Sequence, residues 1–182
     1  MAIHGKLNIE PELATIGIYD EKQDWKERAG RGPWGHEPFD FMVWVDSFTG
    51  YTCAMKRNSG GSWCGYVYPG NDHPIHTSSP DPDGEYALGL ESGNPVWLDV
   101  HGGVTWHGDM DVPHNLASGK AVGFDCAHHM DMVPGYSIER NHPDPMGLMR
   151  DGEYRTASYV VEEVRKLARQ ISEFRPLQQL SV

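Results

Sequence analysis

Cysteine is scarce in this chain of 182 residues: Cys53, Cys64 and Cys126 are odd in number and include no CxxC pair. That argues against a disulfide framework and for reduced thiols. Basic residues are also few, 15 Lys and Arg against 26 Asp and Glu for a formal charge of −11. The chain therefore lacks the cations that a sequence-independent grip on nucleic acid, or on an anionic membrane surface, requires. No stretch approaches the roughly 18 apolar residues of a membrane span, and the opening MAIHGKLNIEPEL lacks the basic-then-apolar order of a secretion signal. The expectation is a cytoplasmic protein with neither nucleic acid nor membrane as partner. What is present, 38% apolar residues, 10% aromatic, 21 Gly and 13 Pro, suits one loop-rich globular domain with a real core.

The charge is unevenly placed. Residues 151–182 hold five acids and five bases, whereas residues 72–131 hold ten acids, a single base, Lys120, and seven of the ten histidines. A segment of net −9 with that many imidazoles is either well solvated or neutralised by a bound cation.

Residues 39–68 read FDFMVWVDSFTGYTCAMKRNSGGSWCGYVY, with apolar runs broken by turn chemistry at 47–50 and 58–61, which predicts three antiparallel strands in a meander. Further strands are expected over 96–101, continuing after Gly102-Gly103 to Trp106, and over 121–126; residues 77–84 read as loop and 139–152 as the one candidate linker. A short polar helix or turn is expected around Trp25. Ala157, Val160, Val161, Val164, Leu167, Ala168, Ile171 and Phe174 recur at steps of three and four, predicting a helix with one apolar stripe that Thr156 or Asp151 starts and Pro176 stops. The expected fold is α+β: an antiparallel sheet of about five or six strands with a C-terminal amphipathic helix packed on one face. It forms one domain over 1–182, with 1–38 as an N-terminal extension, 39–131 as the sheet and candidate site, and 153–174 as the helix. Trp44, Trp63, Tyr66, Trp97 and Trp106, with Met130 and Met132, are assigned to the sheet's core.

Three motifs concentrate possible ligands: Asp72-His73-Pro-Ile-His76, His101-Gly-Gly-Val-Thr105, and Asp125-Cys126-Ala-His128-His129-Met-Asp131. A transition-metal site needs three or four His, Cys, Asp or Glu side chains on one point, and separated strand ends can supply them. His101 and His128 stand out because each sits where an apolar strand ends and a turn of small residues begins. The competing reading is a set of solvated or hydrogen-bonded loop histidines. Asp125, in the apolar VGFDC run, needs a partner, with Arg155 or Lys120 as its structural alternative. Cys126 beside His128 admits a nucleophilic reading, but simple packing is the more common fate of cysteine.

GYTCAMKR, CGYV, HGGVT, GFDCAH and YRTASYVVEEVRKLARQI resemble an uncharacterised bacteriophage and prophage protein family, across most of residues 40–174. The HGG[VL]T and GFDCAH motifs match His101–Thr105 and Gly123–His128. The resemblance implies a phage accessory role and supplies no activity, fold or ligand.

The leading expectation is a divalent metal, zinc first, held by His101, His128 and either Asp125 or Asp131. His73 is assigned as a further ligand or general base, with Asp125 as a catalytic carboxylate. Hydrolysis of a small phosphate-bearing substrate is the matching reaction class. The rival is a non-enzymatic acidic accessory protein that binds a basic host protein or sequesters a small molecule.

Overall fold

The structure, a computed structural model, describes residues 14–19, 24–29, 31–37, 39–76, 98–112, 116–136 and 152–175. The predicted meander is present as β2 (Phe41–Val45), β3 (Thr52–Arg57) and β4 (Trp63–Tyr68). Together with β1 (Ala14–Tyr19), β5 (Trp106–Asp109) and β6 (Lys120–Asp125) they form one six-stranded antiparallel sheet, ordered β1-β2-β3-β4-β6-β5. Short helix α1 (Asp24–Ala29) and long helix α2 (Ala157–Glu173) complete the α+β fold. Among the described residues no helix is long and apolar enough to cross a membrane.

Strand alternation divides the side chains between two layers. Met42, Trp44, Cys53, Met55, Trp63, Val67, Val122 and Phe124 point to one face and bury against Val160, Val161, Val164, Leu167, Ala168 and Ile171 of α2. Gly65 of β4 lets the helix approach closely, since a Cβ there would lie 2.5 Å from a methyl of Val164. The other face carries Phe41, Val43, Ala54, Cys64, Tyr66, Tyr68 and Ala121, onto which the β5–β6 connection folds Met110 and Val112. All three cysteines are free and buried, in agreement with packing.

Four expectations need correction. Residues 14–19, assigned to an N-terminal extension, form edge strand β1, because the β-favouring run Ala14–Tyr19 pairs with β2. Residues 98–101 are not a strand: their backbone is tied to α2 by side chains, as described below. Residues 153–156 precede α2 rather than opening it; Thr156 is the N-cap and accepts from the Tyr159 amide at 3.2 Å. Trp106, on edge strand β5, is 40% exposed and Met130 is 53% exposed, so neither belongs to the core. Trp97, the loop 77–84, the linker up to residue 151 and Pro176 lie outside the described residues.

The end of α2 nearest the candidate site is pinned by a buried ion pair that sequence reading missed. Glu37 Oε2 accepts from Arg57 Nη2 at 2.7 Å, Trp63 Nε1 at 3.0 Å and Tyr154 Oη at 2.5 Å, while Oε1 accepts from the Ala157 amide at 2.6 Å. One carboxylate thus ties the N-terminal segment, the sheet and the first turn of α2, where negative charge also suits the helix dipole. The Arg57 guanidinium stacks 4.0 Å over Trp63 and 4.9 Å from the Trp25 ring, and its Nη1 donates to the Gly61 carbonyl at 2.6 Å.

Candidate metal centre

His101 reaches the site on a segment with no ladder of its own. Gln170 accepts from the Asp99 amide at 2.7 Å and donates to the Asp99 carbonyl at 2.9 Å, doing with one side-chain amide what a neighbouring strand does with its backbone. Glu163 accepts from the His101 amide at 2.7 Å, and Lys166 lies 2.9 Å from the Asp99 carboxylate. Tyr159, Glu163, Lys166 and Gln170 are spaced by four, three and four, so they form a polar stripe on α2 beside its apolar one. That spacing is the signal by which the sequence could have shown them.

His128 and Asp131 come from the turn after β6. The Asp131 amide donates to the His128 carbonyl at 3.0 Å, and the His128 amide donates back to Asp131 Oδ2 at 3.0 Å. Closing so tight a turn leaves Met130 at φ 73°, a left-handed conformation that non-glycine residues seldom adopt. The chain after Asp131 is fixed from the other side, where Met132 donates to the Glu153 carbonyl at 3.0 Å and Glu153 to that of Met130 at 2.8 Å.

Three donor groups meet here. His101 Nε2 is 2.7 Å from Asp131 Oδ2, His128 Nδ1 is 3.7 Å from the same oxygen, and the donor atoms of all three lie within 4.8 Å of one another. Ligands about 2.0–2.1 Å from a tetrahedral zinc stand roughly 3.3 Å apart, between the two separations found. Asp131 is 1% exposed, and Arg155 Nε donates to its other oxygen at 2.9 Å. Burial pushes this carboxyl up, but hydrogen bonds from His101, Arg155 and the His128 amide together hold it below the ordinary aspartate value.

The hydrogen bonds also set the His101 tautomer. An ionised carboxylate only accepts, so without a metal Nε2 carries the hydrogen and Nδ1 accepts from Tyr159 Oη at 2.9 Å. With a cation on Nε2 the hydrogen sits on Nδ1 and Tyr159 becomes its acceptor, the outer-shell arrangement usual for a ligating histidine. Among the described residues His128 Nδ1 is buried with no hydrogen-bond partner. That nitrogen faces the Asp131 carboxylate and the His101 imidazole, so a lone pair on it is available to a cation bound between the three.

The other assigned residues lie elsewhere. Asp125 faces the side of the sheet away from α2 and accepts from Thr105 Oγ1 at 2.8 Å and the Ala127 amide at 3.0 Å, so it holds the loop rather than joining the donors. Its expected alternative partner, Arg155, pairs with Asp131 instead. His73 accepts from the Ile75 amide at 3.2 Å and packs against Tyr51 and Phe174, within a separate group that includes His76 and His107. Cys126 is 2% exposed, and burial, reinforced by the charge of Asp131, pushes its thiol far up, which removes the thiolate a nucleophile needs.

Gly102 explains the HGG motif. Its φ is +64°, and a Cβ there would overlap the His128 imidazole; Gly103, at φ +85°, has nothing within 4 Å of the equivalent position. Replacing either by alanine is expected to cost about 1–2 kcal/mol through the backbone alone. Only Gly102→Ala displaces His128, so zinc titration by calorimetry should show affinity about 10–100-fold weaker for it and nearly unchanged for Gly103→Ala.

No family model, curated protein or solved structure matches this chain.

Proposed function

We propose that the protein holds one divalent metal ion, zinc first, on His101, His128 and Asp131, and acts as a metal-dependent hydrolase of a small phosphate-bearing substrate in a phage or prophage accessory role. The observation that carries the reading is the convergence of His101, His128 and Asp131 donor atoms within 4.8 Å, with His128 Nδ1 lacking a hydrogen bond among the described residues. Two imidazoles and one carboxylate form a donor set known for both zinc and iron, and leave coordination positions open for water and substrate. A divalent ion there supplies Lewis acidity and a hydroxide near neutral pH. The chain's own residues do the positioning: Arg155 orients the Asp131 carboxylate, Tyr159 orients His101, and Gly102 admits the His128 ring.

Charge supports an anionic substrate once the ion is counted. A dication offsets Asp131, while Glu153 and Glu163 beside Arg155 and His101 balance the rest, so the ion itself would be the point that draws a phosphate inside an acidic stretch. Elemental analysis of purified protein is expected to give one metal per chain, with a chelator lowering thermal stability and abolishing turnover of a simple phosphate ester. No stoichiometric metal and no response to the chelator would overturn the reading.

A second reading rests on Arg155 already pairing with Asp131 and His101 already within hydrogen-bond distance of it. These contacts favour a metal-free structural tie, with the acidic surface binding a basic host protein or the fold sequestering a small molecule. Under that reading, His101→Ala and His128→Ala leave the biological effect intact while reversal of surface acids removes it.

A further inference from the structure

The second histidine group carries an inference independent of the metal. His76, in the turn Pro74–His76 after β4, lies with its Nδ1 2.9 Å from Nε2 of His107 on β5, and its Nε2 3.1 Å from the Gly70 carbonyl. The two ring planes differ by 7° with centroids 5.2 Å apart. That separation is what two imidazoles give when they lie end to end across one hydrogen bond, so the rings are nearly coplanar and joined in line rather than stacked.

The hydrogens on this pair follow by elimination. A carbonyl only accepts, so His76 Nε2 bears its hydrogen; Nδ1 of neutral His76 is then a lone pair, and His107 Nε2 must donate to it. A first proton can enter on the outer nitrogen of His107 and leave that bond intact. A second has only His76 Nδ1 to occupy, where donor would meet donor. We propose that the His76–His107 bond is an acid-operated latch, closed while His76 is neutral and opened by the second proton, that fastens the turn after β4 to edge strand β5.

The surroundings keep the latch closed near neutrality. His76 is 7% exposed. It faces His107 from β5, His73 and the Gly70 carbonyl from its own turn, and Lys120 from β6; Asp109 and Lys120 act on His107, and Arg175 beyond α2 acts on His73. Burial and then His107 hold His76 down at about 4 against the opposing Gly70 bond, and burial lowers His107 and His73 as well. Between the ordinary histidine value of 6.5 and about 4 the unfolded chain therefore binds more protons than the folded one, and stability falls as pH falls through that window. Ile75, fully buried in the main core next to His76, is the side chain that opening would unseat.

The test is residue-resolved NMR of every imidazole against pH in the full chain, with hydrogen exchange of the Ile75 and His76 amides. At pH 7 both rings should show neutral Nε2–H tautomers. His107 should titrate before His76, and the protection factor of the His76 amide should fall about tenfold once His76 is charged, the equivalent of one lost hydrogen bond; the Ile75 amide, bonded to His73 Nδ1, reports the His73 titration instead. His76 titrating near 6.5, or its amide protection unchanged across that titration, would overturn the latch. His107→Phe keeps the bulk and removes the donor, so at pH 7 it should reproduce the lowered His76 protection of the acid form; protection equal to wild type would also refute the proposal. A His107→Phe chain that fails to fold leaves the wild-type titration to decide.

Discussion

Arg57→Leu is expected to cost about 3–5 kcal/mol of folding stability, measured by urea denaturation, because it leaves the Glu37 carboxylate without its cation. The Arg57 side chain is fully buried and Glu37 is 13% exposed, so water can do little to replace the lost partner. The damage should spread beyond the pair. Glu37 Oε1 holds the Ala157 amide at the start of α2, and a carboxylate that protonates or turns toward solvent releases that end of the helix. Arg57→Lys should recover only part of the loss, since an ammonium cannot reach Gly61 and Glu37 in one plane while stacking on Trp63. Glu37→Gln keeps one acceptor oxygen but sets its amino group against a donor and deprives buried Arg57 of this carboxylate, so its loss should be comparable to that of Arg57→Leu. A loss below about 1 kcal/mol for Arg57→Leu would mean that the pair is in practice solvated.

Residues whose role is set by local pattern were legible in the sequence, and those set by distant partners were not. The apolar stripe of α2 and the turns of the β2–β4 meander follow from spacing and turn chemistry alone. Val100 is apolar and buried as a strand residue would be, but its segment is held by Gln170 and Glu163, each more than sixty positions away, so it read as a strand. Glu37 and Arg57 escaped notice for the same reason: charges 20 positions apart give no periodic signal. The choice between Asp125 and Asp131 was decidable in part. Alternation along β6 places Ala121 and Asp125 opposite Val122 and Phe124, which pack toward α2. A carboxylate on the far face cannot meet His101, which α2 holds, and only the turn carries Asp131 back to it.

Asp131→Asn is the substitution with the widest consequence. The carboxylate accepts from His101 Nε2, the His128 amide and Arg155 Nε, three donors converging on two oxygens. An asparagine offers one oxygen and an amino group, so at least one donor faces another donor, and the Arg155 charge is left without its buried partner. Arg155 is 21% exposed and keeps Glu153 at 2.8 Å, so the expected loss even with no metal present is about 1–3 kcal/mol, that of an unsatisfied buried donor. Because the native carboxyl titrates below its ordinary range, its contribution is present at neutral pH and is lost as pH falls through the folded-state value; the variant should lack that part of the acid dependence. Zinc separates structure from binding. At a hundred times the dissociation constant it should stabilise the native protein by about 2.7 kcal/mol and the asparagine variant scarcely at all. A variant that loses stability yet still gains that increment from zinc would keep Asp131 as a structural tie and remove it from the metal site.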